Sequence, residues 1–203
     1  MNKLPSNIEI LIVSIILIIG CQKKNEINSS FQPIPLSIDL PYNFPVIEHP
    51  IDNPLTEQGV LLGRHLFWET KLSGDNSISC ASCHLPENAF SDPSSLSVGI
   101  HGDLGTRNAM VLQNLAWSKD FFWDGSFISL EKQILIPVLD STEMDETWSN
   151  FFTEIKYDNN YRRMFYEAFG TVEPDSIHAV KAIAQFLRTM VSSNSKYDKY
   201  LRG

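Results

Sequence analysis

The residues best equipped for chemistry are Cys80-Ala81-Ser82-Cys83-His84. Two thiols three positions apart, followed at once by an imidazole, form the C-x-x-C-H pattern that attaches c-type haem. The spacing has a chemical reason. One helical turn separates the thiols by the span of the two haem vinyl groups, and the adjacent histidine turns a ring nitrogen toward the iron. Two other chemistries use the same residue types. Structural zinc takes four ligands, and no second Cys/His pair stands at finger spacing in this chain. A thioredoxin-like redox pair sits at a strand–helix junction in a βαβ pattern, whereas strand alternation is nearly absent here. The motif therefore points to one covalent haem, with Cys80 and Cys83 as attachment points and His84 as the proximal ligand.

What faces the other side of the iron decides between electron transfer and catalysis. Candidates are His49, His65, His101, His178, Met110 and Met144. A structural reading suits three of them: His178 beside Ile177 at a helix edge, His65 beside Arg64 in an amphipathic helix, and His49 in a proline-rich stretch. His101 stands in Ser97-Val98-Gly99-Ile100-His101-Gly102-Asp103-Leu104-Gly105, where three glycines let the backbone approach a flat cofactor. It reads equally as a solvated loop histidine. Glu143, in Ser141-Thr142-Glu143-Met144, has two readings. It is either a first-turn acid favoured by a helix dipole, or a general base whose pKa rises in an apolar haem pocket and which moves a peroxide proton. Trp123, in Phe121-Phe122-Trp123-Asp124-Gly125, is either a core aromatic at a turn or an indole that carries electrons at a haem edge.

Such residues need elements to hold them. Helix signals begin at Thr56 as N-cap, with Glu57 and Gln58 in the first turn, and Val60, Leu61 and Phe67 as the apolar face. Helical pattern returns over Leu130–Ile136, Asp145–Tyr157 and Tyr161–Phe169, with Gly170 as C-cap. The clearest helix runs from Pro174, at the first helical position, to about Ser192. Its stripe is Ile177, Val180, Ile183/Ala184, Leu187 and Met190/Val191. Between these, residues 69–128 are irregular and rich in Gly, Ser, Asn and Asp. A segment of that kind inside a compact, mostly α domain needs something else to hold it, and a large bound cofactor would do so.

Composition narrows the class further. The 203 residues carry 24 acidic against 16 basic side chains, a net charge of −8, which argues against a nucleic-acid partner. At 43% hydrophobic residues the chain has material for a packed core rather than disorder. Lys3 precedes an apolar run, Ile10 to Ile19, interrupted only by Ser14. That run is too short to span a bilayer and suits the core of a signal peptide. It ends in Ile18-Ile19-Gly20-Cys21, which resembles the lipobox of bacterial lipoproteins. The resemblance implies that residues 1–20 are removed as a signal peptide and that Cys21 is lipidated. The protein is then exported to the periplasm or cell envelope and lipid-anchored to the membrane. Six of the eleven prolines lie between Pro33 and Pro54, so residues 21–53 are expected to form an extended Pro-rich tether.

Taken together, the motifs resemble the bacterial di-haem cytochrome c peroxidase/MauG family. They are Leu62-Gly63-Arg64-His65-Leu66-Phe67, Leu72-Ser73, Ser79 to His84, Phe90-Ser91-Asp92, Gly105-Thr106-Arg107-Asn108, Phe122-Trp123-Asp124-Gly125, Leu130-Glu131-Lys132-Gln133 and Glu143-Met144. They come in the family's order from about residue 55 to Leu201-Arg202-Gly203. The resemblance implies c-type cytochrome folds with long loops, one haem per domain, in a two-domain enzyme. It makes Cys80 and Cys83 the anchors of the peroxidatic haem and His84 its proximal ligand. It makes His101 the distal histidine that blocks the resting iron and swings away on activation. Glu143 becomes the pocket acid that assists O–O cleavage, Trp123 the bridge between haems, and Asn108 a ligand of an interdomain calcium. The implied partners are hydrogen peroxide, a cytochrome c or cupredoxin electron donor, and a second haem domain.

Three departures accompany the match. Ser126 stands where the family often has Arg, Met110 where Pro is usual, and a second C-x-x-C-H is absent from the chain. Residues 54–203 are thus expected to be the N-terminal haem domain without its C-terminal partner. The expected activity is reduction of hydrogen peroxide to water with electrons from a small redox protein. A monohaem electron-transfer cytochrome and a MauG-type protein oxidase are the alternatives.

Overall fold

The computed structural model describes residues 31–41 and 44–203, so the expected signal peptide and Cys21 lie outside it. Thr56 caps the first helix, α1 (Glu57–Phe67), by accepting a hydrogen bond from the Gly59 amide. The buried face differs from the one the apolar pattern suggests. Leu62, Leu66 and Phe67 point inward with Gly59 and Gly63, whereas Leu61 is half exposed. Two glycines one turn apart explain the shift. A Cβ at Gly63 would sit 1.9 Å from the Ala182 carbonyl oxygen, and one at Gly59 would sit 2.1 Å from Gln185 Oε1. The glycine edge is therefore where the last long helix lies against α1 almost backbone to backbone.

The remaining helices are α2 (Cys80–Cys83), α3 (Leu130–Leu139), α4 (Trp148–Ile155), α5 (Asn159–Phe169), α6 (Ser176–Arg188) and α7 (Lys196–Arg202). Gly170 ends α5 in the left-handed region, at φ 71°, as its sequence position suggests. Helix α6 starts later than expected. Asp175, not Pro174, sets the boundary, because its carboxylate accepts from the His178 amide as a cap. That leaves Pro174 outside the helix and Ile177 half exposed, while Val180, Ile183, Ala184 and Leu187 are buried as expected. Between the helices the chain folds into turns closed by isolated β-bridges, among them Leu85↔Ser91, Val98↔Leu104 and Phe121↔Phe127. Among the described residues the fold is mostly α with long loops, and no helix is long and apolar enough to cross a membrane.

The proline-rich stretch departs from the tether expectation over its described part. Pro35 bridges Thr56, the Leu36 amide donates to the Leu55 carbonyl, and Trp117 Nε1 donates to the Pro45 carbonyl. Ile47 is buried, and the Phe44 and Trp117 rings meet at 5.3 Å. Proline removes amide donors but not carbonyl acceptors or apolar surface. Those are the groups this strap uses to fasten itself to the domain.

The strap ends at a buried polar cluster. Asn53 donates to Glu131 Oε1 and the Lys181 carbonyl, and accepts from Gln185 Nε2. Arg188 grips the same Glu131 through two hydrogen bonds, at 2.7 and 3.2 Å. Burial pushes the Glu131 carboxyl up, but the hydrogen bonds from Arg188 and Asn53 and the Arg188 charge outweigh it and hold the pKa at about 2. A carboxylate depressed in the fold contributes stability above the unfolded-state value of about 4.3 and loses it as pH falls toward the folded value. Arg188→Ala should therefore cost about 3 kcal/mol at pH 7, by stranding a buried carboxylate. Urea unfolding at pH 7 and pH 3 checks both parts: the gap between wild type and variant should narrow at the lower pH.

Candidate haem site

The C-x-x-C-H segment forms the single turn α2, and both thiols line one cavity of about 500 Å³ together with His84. The turn is closed by the Ser79 amide donating to Ser82 Oγ and the His84 amide donating to the Cys80 carbonyl. His84 Nδ1 lies 3.0 Å from the Phe90 carbonyl oxygen. As the donor in that bond, Nδ1 carries the ring proton, which leaves Nε2 with a free lone pair for a metal. Burial lowers the imidazole pKa, against the raising effect of the Phe90 and Met110 carbonyls, and so favours the neutral, ligating form. Burial also pushes the Cys80 thiol up to about 12 and raises Cys83. Reactive redox thiols sit in the opposite environment, where neighbours lower the pKa. Thiols one turn apart, an oriented imidazole beside them and a mostly apolar cavity in front of all three fit a covalent haem.

Glu143 lies in the same cavity, on the turn that follows α3. The turn is closed by the Glu143 and Asp145 amides, which both donate to the Asp140 carbonyl. Two glycines press against it. A Cβ at Gly99 would sit 2.1 Å from the Thr142 carbonyl oxygen, and one at Gly74 2.4 Å from that of Asp145. The Ile100 amide donates to the Glu143 carbonyl at 3.0 Å, so the turn is held from both sides. Glu143 is accessible across the open cavity, yet the protein around it still pushes its carboxyl pKa up, with Asp140 as the smaller cause. A flat ligand filling the cavity would exclude more water and act in the same direction.

His101 does not join this group. The Gly99–Asp103 turn carries it away from the cavity wall, and its Nε2 lies 2.7 Å from Asp145 Oδ2, with both side chains exposed. The hydrogen bond to Asp145 raises its pKa. The distal position expected for His101 is thus not the one it holds in this conformation, because a carboxylate on the Glu143 turn is its nearer partner. Among the other candidates, His178 pairs with Asp175 at the α6 cap, His65 is exposed, and His49 lies in the strap with Nδ1 buried and unpartnered. Met110 and Met144 do line the cavity.

Trp123 and Asn108 also line it, and they touch: Trp123 Nε1 donates to the Asn108 carbonyl at 2.9 Å. Trp123 is 59% exposed at the rim, which excludes the core-aromatic reading. Among the described residues no group of three or more His, Cys, Asp or Glu is placed to hold a metal ion. Gln133 and Arg107 reach the cavity as well, although residue type alone assigned them no role. Gln133 shares a helix face with Pro137, one turn on, and that periodicity was the available signal. Among the described residues Arg107 is the only lysine or arginine in the wall, and it pairs with Asp124 at 3.2 Å.

Comparison with known proteins agrees with this geometry. Methylamine utilization protein MauG of Methylorubrum extorquens is 37% identical over 158 residues, covering 77% of this chain and 45% of that protein. Cytochrome-c peroxidase IdrP1 of a Pseudomonas species is 35% identical over 161 residues, 78% of this chain and 42% of that protein. A solved MauG-like protein associated with microbial copper homeostasis superposes with a TM-score of 0.78 at 36% identity, over 83% of this chain and 50% of that one. The chain thus spans about half the length of the relatives it matches. Residues 57–203 match the family model for di-haem cytochrome c peroxidase, and the chain belongs to that family.

Proposed function

We propose that residues 54–203 are a haem c domain that reduces hydrogen peroxide to water with electrons from a small redox protein. The observation that carries this reading is that Cys80, Cys83, His84 and Glu143 line one cavity. When bound, haem would supply the redox chemistry of peroxide reduction. The chain's own residues do the rest. Cys80 and Cys83 hold the cofactor, and His84, oriented by the Phe90 carbonyl, offers Nε2 to the iron. Glu143 accepts a proton from one peroxide oxygen and delivers it to the other, so that the leaving oxygen departs as water. Two further protons and two electrons complete the balance to two waters. With His101 turned to Asp145, no histidine other than His84 lines the cavity in this conformation.

Trp123, exposed at the rim, is the proposed point of electron entry, from a second haem domain charged by a cytochrome c or cupredoxin. Asn108 beside it is the proposed calcium ligand, completed by groups from that second domain. Haem attachment at C-x-x-C-H takes place outside the cytoplasm, which supports export to the periplasm or cell envelope with Cys21 as lipid anchor. A second reading, one-electron oxidation of a protein substrate, is favoured by the same exposed indole and by the similarity to MauG.

Loading the full chain with haem and adding carbon monoxide to the reduced form tests the proposal. The expected result is a high-spin iron that binds the ligand, with peroxide consumed when an artificial donor is present. A low-spin iron that refuses ligand under all conditions would make the protein an electron relay instead.

A further inference from the structure

The proposed chemistry leaves a part-buried tyrosine–glutamate pair unused. Tyr161, in the first turn of α5, is 8% exposed and donates its hydroxyl to Glu69 Oε2 at 2.5 Å. The other oxygen of Glu69 accepts from the Lys71 amide at 3.0 Å, so the carboxylate is fixed at both ends. Glu69 follows Phe67 by two residues, and Phe67 is part of the cavity wall. Trp148, four residues after the wall residue Met144, meets Phe151 edge-on at 6.2 Å, and Phe151 meets Tyr161 at 6.4 Å.

Proton bookkeeping separates these rings. Oxidation of a phenol is easy only if the proton leaves with the electron, because the phenol radical cation is a very strong acid. Trp148 Nε1 is buried with no hydrogen-bond partner among the described residues, so an oxidised Trp148 would keep its proton and pass the electron vacancy on. Tyr161 has its proton acceptor already in place.

We infer that Tyr161 and Glu69 form a one-electron store for oxidising equivalents generated in the haem cavity, an inference that rests on the peroxidase reading and deepens it. Tyr161 gives one electron to peroxide-oxidised haem, which is reduced by one, and the phenolic proton moves to Glu69 Oε2. No heavy-atom bond forms or breaks. An electron from the external donor later restores the phenol as the proton returns. The store spares the oxidisable residues of the cavity, Met110, Met144 and Trp123, when the donor is slow. Burial and the Glu69 carboxylate raise the Tyr161 pKa far above the ordinary phenol, which keeps it protonated until it is oxidised.

A purely structural bond, tying α5 to the turn after α1, would leave no magnetic signature. The haem-loaded full chain is mixed with one equivalent of peroxide without donor, freeze-quenched, and followed by electron paramagnetic resonance and optical spectra. Wild type should show a radical signal that narrows when tyrosine is ring-deuterated. Tyr161→Phe should lose it and gain oxidised Met110 and Met144 by mass spectrometry. Glu69→Gln, which keeps a hydrogen-bonding oxygen but is a poor proton acceptor, should lower it at least tenfold. Oxidised haem without a tyrosine radical, or a signal unchanged in both variants, overturns the store and leaves the peroxidase reading standing. A haem spectrum that peroxide does not alter overturns both.

Discussion

Haem-loaded Glu143→Gln is expected to reduce peroxide about 100- to 10,000-fold more slowly than wild type, the range that a positioned acid–base group contributes. The substitution keeps size and hydrogen-bonding shape, so it removes proton transfer and little else. Loss should appear in kcat, because the proton moves as the O–O bond breaks. The pH profile offers a second signature. Glu143 acts first as a base, so the wild-type rate should fall as pH drops through its carboxyl pKa. Burial and Asp140 raise that pKa, placing the acid limb above the ordinary glutamate range. Glu143→Gln should lose the limb altogether. Gly99→Ala separates position from chemistry: its methyl would collide with the Thr142 carbonyl and displace the turn that carries Glu143. It should lower kcat while leaving the acid limb in place. Full activity in Glu143→Gln would remove the carboxylate from the mechanism.

Cys80→Ala with Cys83→Ala is expected to abolish covalent haem completely. Pigment should then extract into acidified acetone and vanish from a denaturing gel stained for haem, whereas wild type retains it. Each single variant should keep one thioether and shift the pyridine haemochrome band. The doubly substituted chain should also unfold at lower temperature, because haem without thioethers can leave the cavity and its apolar contacts are then lost. The irregular residues 79–128 supply much of the cavity wall and have no sheet to hold them, so the loss should fall there first. Haem that stays bound through acid extraction in the double variant would exclude these thiols as the attachment sites.

The helical part of the fold was largely legible because amphipathic period and capping act locally. Thr56, Gly170 and the stripe of α6 stand where their residue types place them. The errors share one cause. Apolar pattern puts Leu61 on the buried face and is silent on Gly59, since it weighs what side chains bring and not the room their absence makes for a neighbouring helix. Likewise, six prolines suggest an extended tether, because local rules register missing amide donors but not the carbonyls and rings by which its described part reaches Thr56, Trp117 and α6.

The site divides in the same way. By itself the sequence determined the cofactor chemistry: two thiols and an imidazole within five residues are placed by one helical turn, whatever surrounds them. Only the tertiary structure decided what stands opposite. Glu143 faces the haem cavity from nearly sixty residues away because Gly74 and Gly99 let two loops close on its turn. His101, read from its glycine-rich surroundings as a ligand candidate, turns outward because Asp145 lies on that same turn. Contacts between distant segments depend on how backbones approach in space, and local residue type carries no measure of that distance.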